Sequence, residues 1–460
     1  MNLYALLRRR EGTPLRVLLI GAGKFGSMYL AQARVTPGIH LAAIADLQPA
    51  RAAEALARTG WPRERYGARS LAEALTRGTT WITDDALGAL ASEGIDIVID
   101  ATGSPAAGIR HVLACCRHGK HIVMVNVEAD ALAGPLLARR ARQAGVVYSL
   151  AYGDQPALIC EMVDWARAAG FQVVAAGKGT KYLPGYHQST PDTVWGHYGF
   201  TPEQVAAGDF NAKMFNSFLD GTKSAIEMAS VANATGLAPA PGGLAFPPCG
   251  VDDLPRVLRP RDAGGQLHHP GQVEVVSSLE RDGRPVFRDL RWGVYVTFAA
   301  QAGAGRDYVE RCFREYGVVT DDSGRYAALY KPSHLIGLEL GISVASVGLR
   351  GEPTGAPLSW FDDGSGSWVA DVVATAKRDL APGETLDGEG GCTVYGRLMP
   401  AAESRACGGL PIGLAHGVRL KRPVAAGSAV GWADVDMDEA SEAVRFRREM
   451  EQSFGTSAAC

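Results

Sequence analysis

The sequence lacks an excess of charge of one sign: 46 lysines and arginines stand against 49 aspartates and glutamates, which gives a formal net charge of −3. A chain this close to neutral has no long-range field to attract nucleic acid or an anionic membrane surface. The sequence also lacks an uninterrupted run of about 18 apolar residues, the length that a membrane-spanning helix requires. We therefore expect neither nucleic acid nor a membrane as a partner.

Paired cysteines are missing as well. The chain has eight cysteines, but no Cys-x-x-Cys occurs, and the one adjacent pair is Cys115 and Cys116. This distribution predicts neither a disulfide framework nor a metal site, and it is typical of a reducing compartment. Near the N-terminus the apolar residues 2–7 precede Arg8–Arg10, the reverse of the order in a secretory signal. We predict a cytoplasmic protein whose first residues form an amphipathic turn or a subunit-contact arm.

The length of 460 residues predicts two or three domains, and the hydrophobic content of 47% is that of a globular protein. Alternation of strand and helix patterns indicates an α/β chain. We predict an N-terminal Rossmann domain with a doubly wound sheet over residues 1–150. A central α+β domain for catalysis and oligomerisation (151–350) and a small β-rich domain (366–440) follow. Residues 350–366 are expected to be a loop, and the polar tail after Asp438 is expected to fray.

The strongest motif follows the first predicted strand. The run Leu15–Ile20, rich in leucine and β-branched residues, leads directly into Gly21-x-Gly23-x-x-Gly26, and a helical pattern comes next. In such a loop the glycines allow a tight turn, close approach to a pyrophosphate and close packing of helix on strand, while the helix N-terminus faces the phosphates. This context predicts a dinucleotide site formed by the glycines together with Lys24 and Phe25.

Asp46 ends the next predicted strand, 20 residues after Gly26. A carboxylate at this spacing accepts hydrogen bonds from the adenosine ribose, which favours NADH, whereas Arg51 could contact the 2′-phosphate of NADPH. Thr102 and Gly103 follow a later strand and are expected near the nicotinamide ribose. The alternative is a Rossmann domain that has lost its cofactor, and the complete glycine set with Asp46 argues against it.

A polar and aromatic stretch follows a predicted strand in the middle of the chain. It contains two candidate catalytic lysines and three candidate substrate-binding residues: Lys178, Lys181, Tyr182, His187 and Thr190. Residues of these types crowded after a strand are typical of an active-site loop, but a long solvated loop has the same composition. We predict that the lysines contact a phosphate or a carbonyl.

A second cluster lies at the start of a predicted helix, where Asp220 and Lys223 stand three residues apart. Both side chains can face one side of that helix, with the lysine polarising a carbonyl and the aspartate fixing its position. The alternative is a helix-capping aspartate beside a solvated lysine. His334, at the predicted start of a later helix capped by Ser333, is either a contact to substrate phosphate or a structural histidine.

The glycine loop and the Asp-x-x-Lys element resemble those of homoserine dehydrogenases, a family that uses a lysine and an aspartate for hydride transfer at a carbonyl. The chain departs from that family at Asn126-Val127-Glu128, where the family places a lysine after Ala-Asn.

A more extensive resemblance is to 1-deoxy-D-xylulose 5-phosphate reductoisomerase-like enzymes. Five segments carry it: residues 151–156, 175–184, 189–195, 220–223 and 330–337. The resemblance implies an oligomeric enzyme, a homodimer or homotetramer, of isoprenoid biosynthesis. It would rearrange a ketose phosphate and reduce the product with NADPH or NADH to a branched polyol phosphate.

Residues 372–386, 410–415 and 420–424 resemble the SAF domain, which we expect to act as a lid or a subunit contact. Two rival functions share these motifs: a dehydrogenase or reductase of another small hydroxy-carbonyl compound without rearrangement, and a non-catalytic SAF-domain binding or assembly protein. A divalent cation, Mg²⁺ or Mn²⁺, would suit a rearrangement by chelating adjacent oxygens. Asp154, Asp192 and Glu227 are available carboxylates, but they show no metal-ligand spacing.

Overall fold

The computed structural model describes residues 2–208, 210–357 and 368–455. The strands are β1 (Leu15–Ile20), β2 (Ile39–Ala45), β3 (Trp81–Thr83), β4 (Ile97–Asp100), β5 (His121–Met124), β6 (Tyr148–Leu150), β7 (Gln172–Thr180), β8 (Gln272–Ser277), β9 (Val294–Ala299), β10 (Val319–Thr320), β11 (Tyr326–Lys331), β12 (Ala370–Ala376), β13 (Thr385–Asp387), β14 (Val394–Pro400), β15 (His416–Leu420) and β16 (Val435–Asp436). The helices are α1 (Leu3–Arg8), α2 (Lys24–Ala33), α3 (Pro49–Arg58), α4 (Leu71–Arg77), α5 (Ala86–Ala91), α6 (Pro105–His118), α7 (Val127–Gln143), α8 (Gln155–Ala168), α9 (Val194–Tyr198), α10 (Pro202–Ala207), α11 (Ala212–Leu219), α12 (Thr222–Thr235), α13 (Leu254–Val257), α14 (Arg306–Glu315), α15 (Gly341–Arg350), α16 (Ala401–Cys407) and α17 (Glu442–Gly455).

These elements form two compact units. Unit 1 takes in Met1–Cys160 and His334–Gly366, and unit 2 takes in Glu161–Ser333 and Ser367–Cys460. The division differs from the predicted boundary at residue 350, because the chain returns to unit 1 at His334. The predicted loop 350–366 and the predicted start of the last domain at 366 lie partly outside the described residues. None of the helices in the described ranges has the length and apolar character needed to cross a membrane.

Unit 1 confirms the predicted Rossmann domain. Its six strands are all parallel and lie in the order β3-β2-β1-β4-β5-β6. The central strand β1 is buried at nearly every position, as expected for a strand covered by helices on both faces. The strand order reverses between β1 and β4, so the loops that follow these two strands meet at the switch point where doubly wound sheets bind ligands.

The predicted helix over residues 334–344 begins later than expected. Residues 336–340 form turns, and α15 starts at Gly341. Gly337 has φ +76°, and a Cβ there would lie 2.8 Å from Cβ of Met28 in α2. The left-handed backbone that brings this segment against α2 is incompatible with a helix, which is why the predicted cap at Ser333 does not form one.

Unit 2 is built on a five-stranded sheet in the order β10-β11-β9-β7-β8. β7 and β8 are parallel, while the other neighbours are antiparallel. The buried helix α12 packs on β7 and β8 and also on β12 and β14. It begins after Gly221, whose φ of +89° turns the chain out of α11, and it ends at Gly236 with φ +73°. Both ends therefore rely on the left-handed conformation that glycine adopts without strain.

The C-terminal part of unit 2 is the predicted small β-rich segment. β12 pairs with β14, and β13, β15 and β16 form a three-stranded antiparallel sheet. The segment is joined to α12 by the hydroxyl of Thr222, which accepts a hydrogen bond of 2.8 Å from the amide of Gly396 in β14. The same helix therefore contacts both the five-stranded sheet and the β12–β14 pair.

The expectation that the tail after Asp438 frays is wrong. Residues 442–455 form α17, which buries five apolar side chains together with one arginine: Ala443, Val444, Phe446, Met450, Phe454 and Arg447. The many charges in this stretch hid an apolar face with helical spacing.

Candidate active site

The glycine loop of unit 1 has the three local geometries that its motif predicts. Gly21 has φ +96°, and a Cβ there would lie 2.7 Å from the carbonyl oxygen of Ala101. A Cβ on Gly26 would lie 2.4 Å from the carbonyl oxygen of Gly21, whereas one on Gly23 would meet no atom of the described residues within 4 Å. Gly21 and Gly26 thus serve the turn and the helix packing, and Gly23 leaves an open cradle beside the N-terminus of α2. That cradle fits a dinucleotide pyrophosphate.

Asp46 lies beside this loop, at the end of β2. Its carboxylate accepts hydrogen bonds from the amides of Ala22 (2.8 Å) and Gln48 (2.9 Å), so the charge is held next to the cradle. Arg51 lies near the start of α3 and is exposed. Lys24 and Phe25 form the first turn of α2. The glycine loop and Asp46 therefore come together after β1 and β2, while Lys24, Phe25 and Arg51 lie in the first turns of the helices that follow.

A polar network that sequence reasoning missed supports the loop after β4. Asp100 is fully buried, and its carboxylate accepts hydrogen bonds from the amide and hydroxyl of Thr102 and from Nδ1 of His111 at 3.0 Å. Asn126 donates to the Thr102 hydroxyl and also caps α7. Asn126 therefore has a structural role at the point where the homoserine dehydrogenase pattern is broken. Gly103 follows with φ +65°.

Gly23→Ala is expected to weaken the binding of NADH or NADPH at least about tenfold, which is roughly 1.4 kcal/mol, because the new methyl group fills the cradle. The unfolding temperature of the unliganded protein should stay unchanged, since the methyl group contacts nothing in the part of the chain that the structure describes. Gly26→Ala is the matched control, for there the Cβ collides with the Gly21 carbonyl and should lower the unfolding temperature. Calorimetric titration and thermal melts measure both effects. Wild-type affinity in Gly23→Ala would place the pyrophosphate elsewhere.

In unit 2, Asp220 is paired with a residue that the sequence did not suggest. Its carboxylate, fully buried, bonds to Nζ of Lys377 at 2.7 Å and to the amide of Thr222 at 2.9 Å. Lys223, the predicted partner, lies in the first turn of α12 and is partly buried. Burial raises the pKa of the Asp220 carboxyl, and the Lys377 ammonium opposes that rise. This carboxylate is thus engaged in a buried ion pair, and the catalytic roles predicted for Asp220 and Lys223 stay predictions.

His187 is oriented by the same turn. It belongs to the 3₁₀ helix Pro184–Gln188, and its Nδ1 lies 2.6 Å from the main-chain carbonyl oxygen of Asp220. A carbonyl oxygen only accepts, so Nδ1 carries the proton, and Nε2 of the neutral ring accepts from the hydroxyl of Tyr182 at 2.9 Å. Burial lowers the pKa of His187 and raises that of Tyr182 to about 12. The pair is therefore a neutral hydroxyl bonded to a neutral imidazole.

Aromatic rings surround this pair. Phe246 stacks on Tyr182 with ring centroids 3.9 Å apart, and Tyr395 of β14 stacks on His187 at 4.4 Å. Phe246 has φ +50°, and the turn that contains it is held by the buried Glu274. That carboxyl group accepts from the amides of Ala245, Phe246 and Val275, while burial raises its pKa to about 7.

The predicted lysines occupy different surroundings. Lys178 is buried in β7 and forms an ion pair with Glu227 of α12, which accounts for one of the carboxylates considered for a metal. Lys181 donates to the main-chain carbonyl of His197, and burial lowers its pKa. Thr190 is engaged by Thr193 in the turn before α9. Of the predicted substrate residues of unit 2, the structure thus joins Tyr182 and His187.

His334, the remaining predicted substrate residue, lies in unit 1 and is partly buried. Within the parts of the chain that are described, no three His, Cys, Asp or Glu side chains form a group suited to a metal ion.

Three protein-family models match the chain. "Oxidoreductase family, NAD-binding Rossmann fold" matches residues 15–125, "Oxidoreductase DRL, catalytic domain" matches 153–340 and "SAF domain" matches 371–436. They confirm the predicted NAD(P)-binding domain, the oxidoreductase class and the SAF domain. A search of curated proteins found no significant match. The resemblance to homoserine dehydrogenases stays a prediction.

Several solved structures are similar in part. An oxidoreductase from Agrobacterium radiobacter, in complex with NAD⁺, L-tartaric acid and magnesium, is 18% identical over 37% of this chain and 45% of its own, with a TM-score of 0.26. The chain thus spans less than half of that protein. A probable dehydrogenase from Thermotoga maritima is 15% identical, covering 74% and 90% of the two chains at a TM-score of 0.37. The 1-deoxy-D-xylulose 5-phosphate reductoisomerase from Zymomonas mobilis, with NADPH, is 20% identical over 48% and 58% of the two chains at a TM-score of 0.32.

Proposed function

We propose that this chain, an NAD(P)-dependent oxidoreductase with a SAF domain, interconverts a hydroxyl and a carbonyl group on a small phosphorylated substrate. The hydrogen-bonded pair Tyr182–His187 in unit 2 is the observation that carries the proposal. When bound at the glycine loop of unit 1, the nicotinamide supplies or accepts the hydride. Tyr182 and His187 move the proton that accompanies the hydride.

The direction of the Tyr182–His187 hydrogen bond, with the hydroxyl as donor and Nε2 as acceptor, determines which proton transfers the pair can perform. As the Tyr182 oxygen accepts a proton from a substrate hydroxyl, its own proton passes to Nε2 of His187, which becomes an imidazolium. The Asp220 carbonyl, already bonded to Nδ1–H, stabilises that cation. In the reverse direction the imidazolium returns the proton through Tyr182 to the alkoxide. A lowered His187 pKa makes the imidazolium a stronger acid, which favours this return.

Two arginines near the aromatic rings suit a phosphate group. Arg281 lies with its guanidinium carbon 5.9 Å from the centre of the Tyr182 ring and donates to the Ala245 carbonyl at 3.0 Å. Arg397, two residues beyond Tyr395 on the same face of β14, has a buried Nε with no hydrogen-bond partner among the described residues. Guanidinium groups bind phosphate oxygens in forked pairs. We assign the phosphate to these arginines, because Lys178 is already neutralised by Glu227.

The specific substrate we propose is 1-deoxy-D-xylulose 5-phosphate, on the strength of the sequence resemblance. Its rearrangement begins by removing a hydroxyl proton, which is the task that Tyr182 and a neutral His187 suit. A divalent cation would assist by chelating neighbouring oxygens. The alternative is direct reduction of a similar hydroxy-carbonyl compound, with the carbon skeleton unchanged.

The test incubates the purified protein with NADPH or NADH and 1-deoxy-D-xylulose 5-phosphate, with and without Mg²⁺ or Mn²⁺, and follows the loss of nicotinamide absorbance. Unphosphorylated 1-deoxy-D-xylulose is the matched control and should react more slowly. NMR of the product separates the two routes, since a branched polyol phosphate requires rearrangement. Absence of reaction with this substrate, and with a panel of phosphorylated sugars and polyols in both directions, would overturn the proposal.

A further inference from the structure

Lys377 is a buried lysine of the SAF domain that directly follows β12. Its ammonium group lies 2.7 Å from each of three oxygens: the carboxylate of Asp220 and the main-chain carbonyls of Ser189 and Gly391. The side chain is 2% exposed and that of Asp220 is 0% exposed. An ammonium group has three protons, so these three acceptors use its full hydrogen-bonding capacity.

Two of these three oxygens belong to residues that hold His187 in place, Ser189 and Asp220. Ser189 follows His187 by two residues in the chain, so a bond to its carbonyl fixes the backbone that carries the imidazole. Asp220 holds the ring itself, because its main-chain carbonyl accepts from Nδ1 of His187. The third oxygen, of Gly391, lies in the loop between β13 and β14, where the carboxylate of Asp387 accepts from the amides of Cys392 and Thr393. A single ammonium therefore joins the SAF domain to both supports of His187.

We propose that Lys377 is a positioning residue of the reaction. Through this lysine the SAF domain helps to hold His187 in its catalytic orientation. The proposal rests on the role given to His187 in the proposed function. Lys377 keeps His187 in the tautomer with the proton on Nδ1, so that Nε2 stays open to the hydroxyl of Tyr182. The expectation that the SAF domain acts as a lid or a subunit contact stays a prediction beside this proposal.

The groups that face His187 are consistent with this role. The Tyr182 hydroxyl bonds to Nε2, the Tyr395 ring stacks on one face, and the Phe246 ring meets it edge-on at 6.2 Å. The charge of Lys377 further opposes protonation of the ring, alongside burial. A neutral imidazole with a defined tautomer is the state that can accept a proton through Tyr182.

The experiment compares three variants with the wild-type full chain: Lys377→Arg, Lys377→Met, and the double variant Lys377→Met/Asp220→Asn. The double variant removes both buried charges together and keeps the main-chain carbonyl of residue 220, so it separates positioning from charge neutralisation. Lys421→Met, at an exposed lysine of the same domain, is the control. The readouts are the His187 tautomer, by NMR of protein labelled in its histidine rings, the unfolding temperature, and kcat and KM.

We expect wild-type His187 to show the Nδ1–H tautomer alone. The double variant should fold, with an unfolding temperature above that of Lys377→Met, yet show both tautomers and a kcat lowered roughly a hundredfold at little change in cofactor KM. Lys377→Arg should retain part of the single-tautomer signal and part of the wild-type kcat, and Lys421→Met should match the wild type.

Two results would overturn the proposal. One is an Nε2–H tautomer in the wild type, which needs no variant to detect. The other is a double variant that keeps the single wild-type tautomer and the wild-type kcat, since Lys377 would then only neutralise Asp220. The tautomer measurement requires no substrate. A wild-type protein that turns over none of the proposed substrates therefore removes the proposed function, while the NMR comparison still decides the placement of His187 by Lys377.

Discussion

Tyr182→Phe should lower kcat by roughly 10²–10⁴-fold, the range that a positioned acid–base group contributes, while the affinity for NADH or NADPH stays unchanged. The variant loses the hydroxyl that bonds to His187 and keeps the ring that stacks on Phe246. The fold should therefore be preserved. Steady-state kinetics with the proposed substrate, together with cofactor titration, measure the two quantities.

Tyr308→Phe, at an exposed tyrosine of α14, is the control and should have wild-type kinetics.

The pH profile gives a second check. Because the pKa of His187 is lowered, its ring is neutral at pH 7, and removal of a substrate hydroxyl proton should fail only as the pH falls below about 6.5. The Tyr182 pKa of about 12 keeps that hydroxyl protonated through the neutral range. If the kcat of Tyr182→Phe stayed within threefold of wild type, a change of about 0.7 kcal/mol in activation free energy, Tyr182 would have no part in the reaction.

Arg447→Met should destabilise the protein by about 3–5 kcal/mol, which is the cost of leaving a buried charge without its partner. The guanidinium of Arg447 is fully buried in α17 and forms two hydrogen bonds to the carboxylate of Asp371, at 3.1 and 2.6 Å. It also bonds to Glu451 and lies 4.6 Å from the centre of the Trp368 ring. Urea unfolding monitored by circular dichroism measures the loss.

Arg445→Met is the matched control, since Arg445 is exposed on the same helix, and its effect should stay below about 0.5 kcal/mol. The double variant Arg447→Met/Asp371→Asn should recover part of the stability, because it removes the stranded carboxylate. If Arg447→Met lowered the free energy of unfolding by less than about 1 kcal/mol, the loss would be that of an exposed ion pair. Arg447 and Asp371 would then not be removed from solvent as the structure indicates.

The Rossmann domain could be predicted because its signals are local. Leu15–Ile20, the three glycines and Asp46 lie within about 30 residues, and each has a physical requirement that the sequence alone displays. The helix of the Asp220 region was also predictable, from the apolar spacing that continues to Val231. These features depend on neighbours in the chain, so no distant contact was needed to recognise them.

The partner of Asp220 could not be predicted in the same way. Lys377 lies 157 residues further along the chain, and nothing in its local pattern distinguishes it from a solvated lysine. The sequence favours Lys223 as the partner because it is close along the chain, but proximity on a helix does not determine which cation a buried carboxylate meets. Arg447 shows the same limit, since its burial depends on Asp371 in another element.

The return of the chain to unit 1 has a consequence for how the protein is made. α15 contributes Val344, Ala345 and Val347 to the same apolar cluster as β1 and α2, yet it is synthesised about 190 residues after β6. At a translation rate of roughly 5–20 residues per second, the six-stranded sheet waits about 10 to 40 seconds for this helix. During that interval the apolar side chains that pack against α15 lack this cover, and exposed apolar surface of this kind makes a nascent chain prone to aggregation.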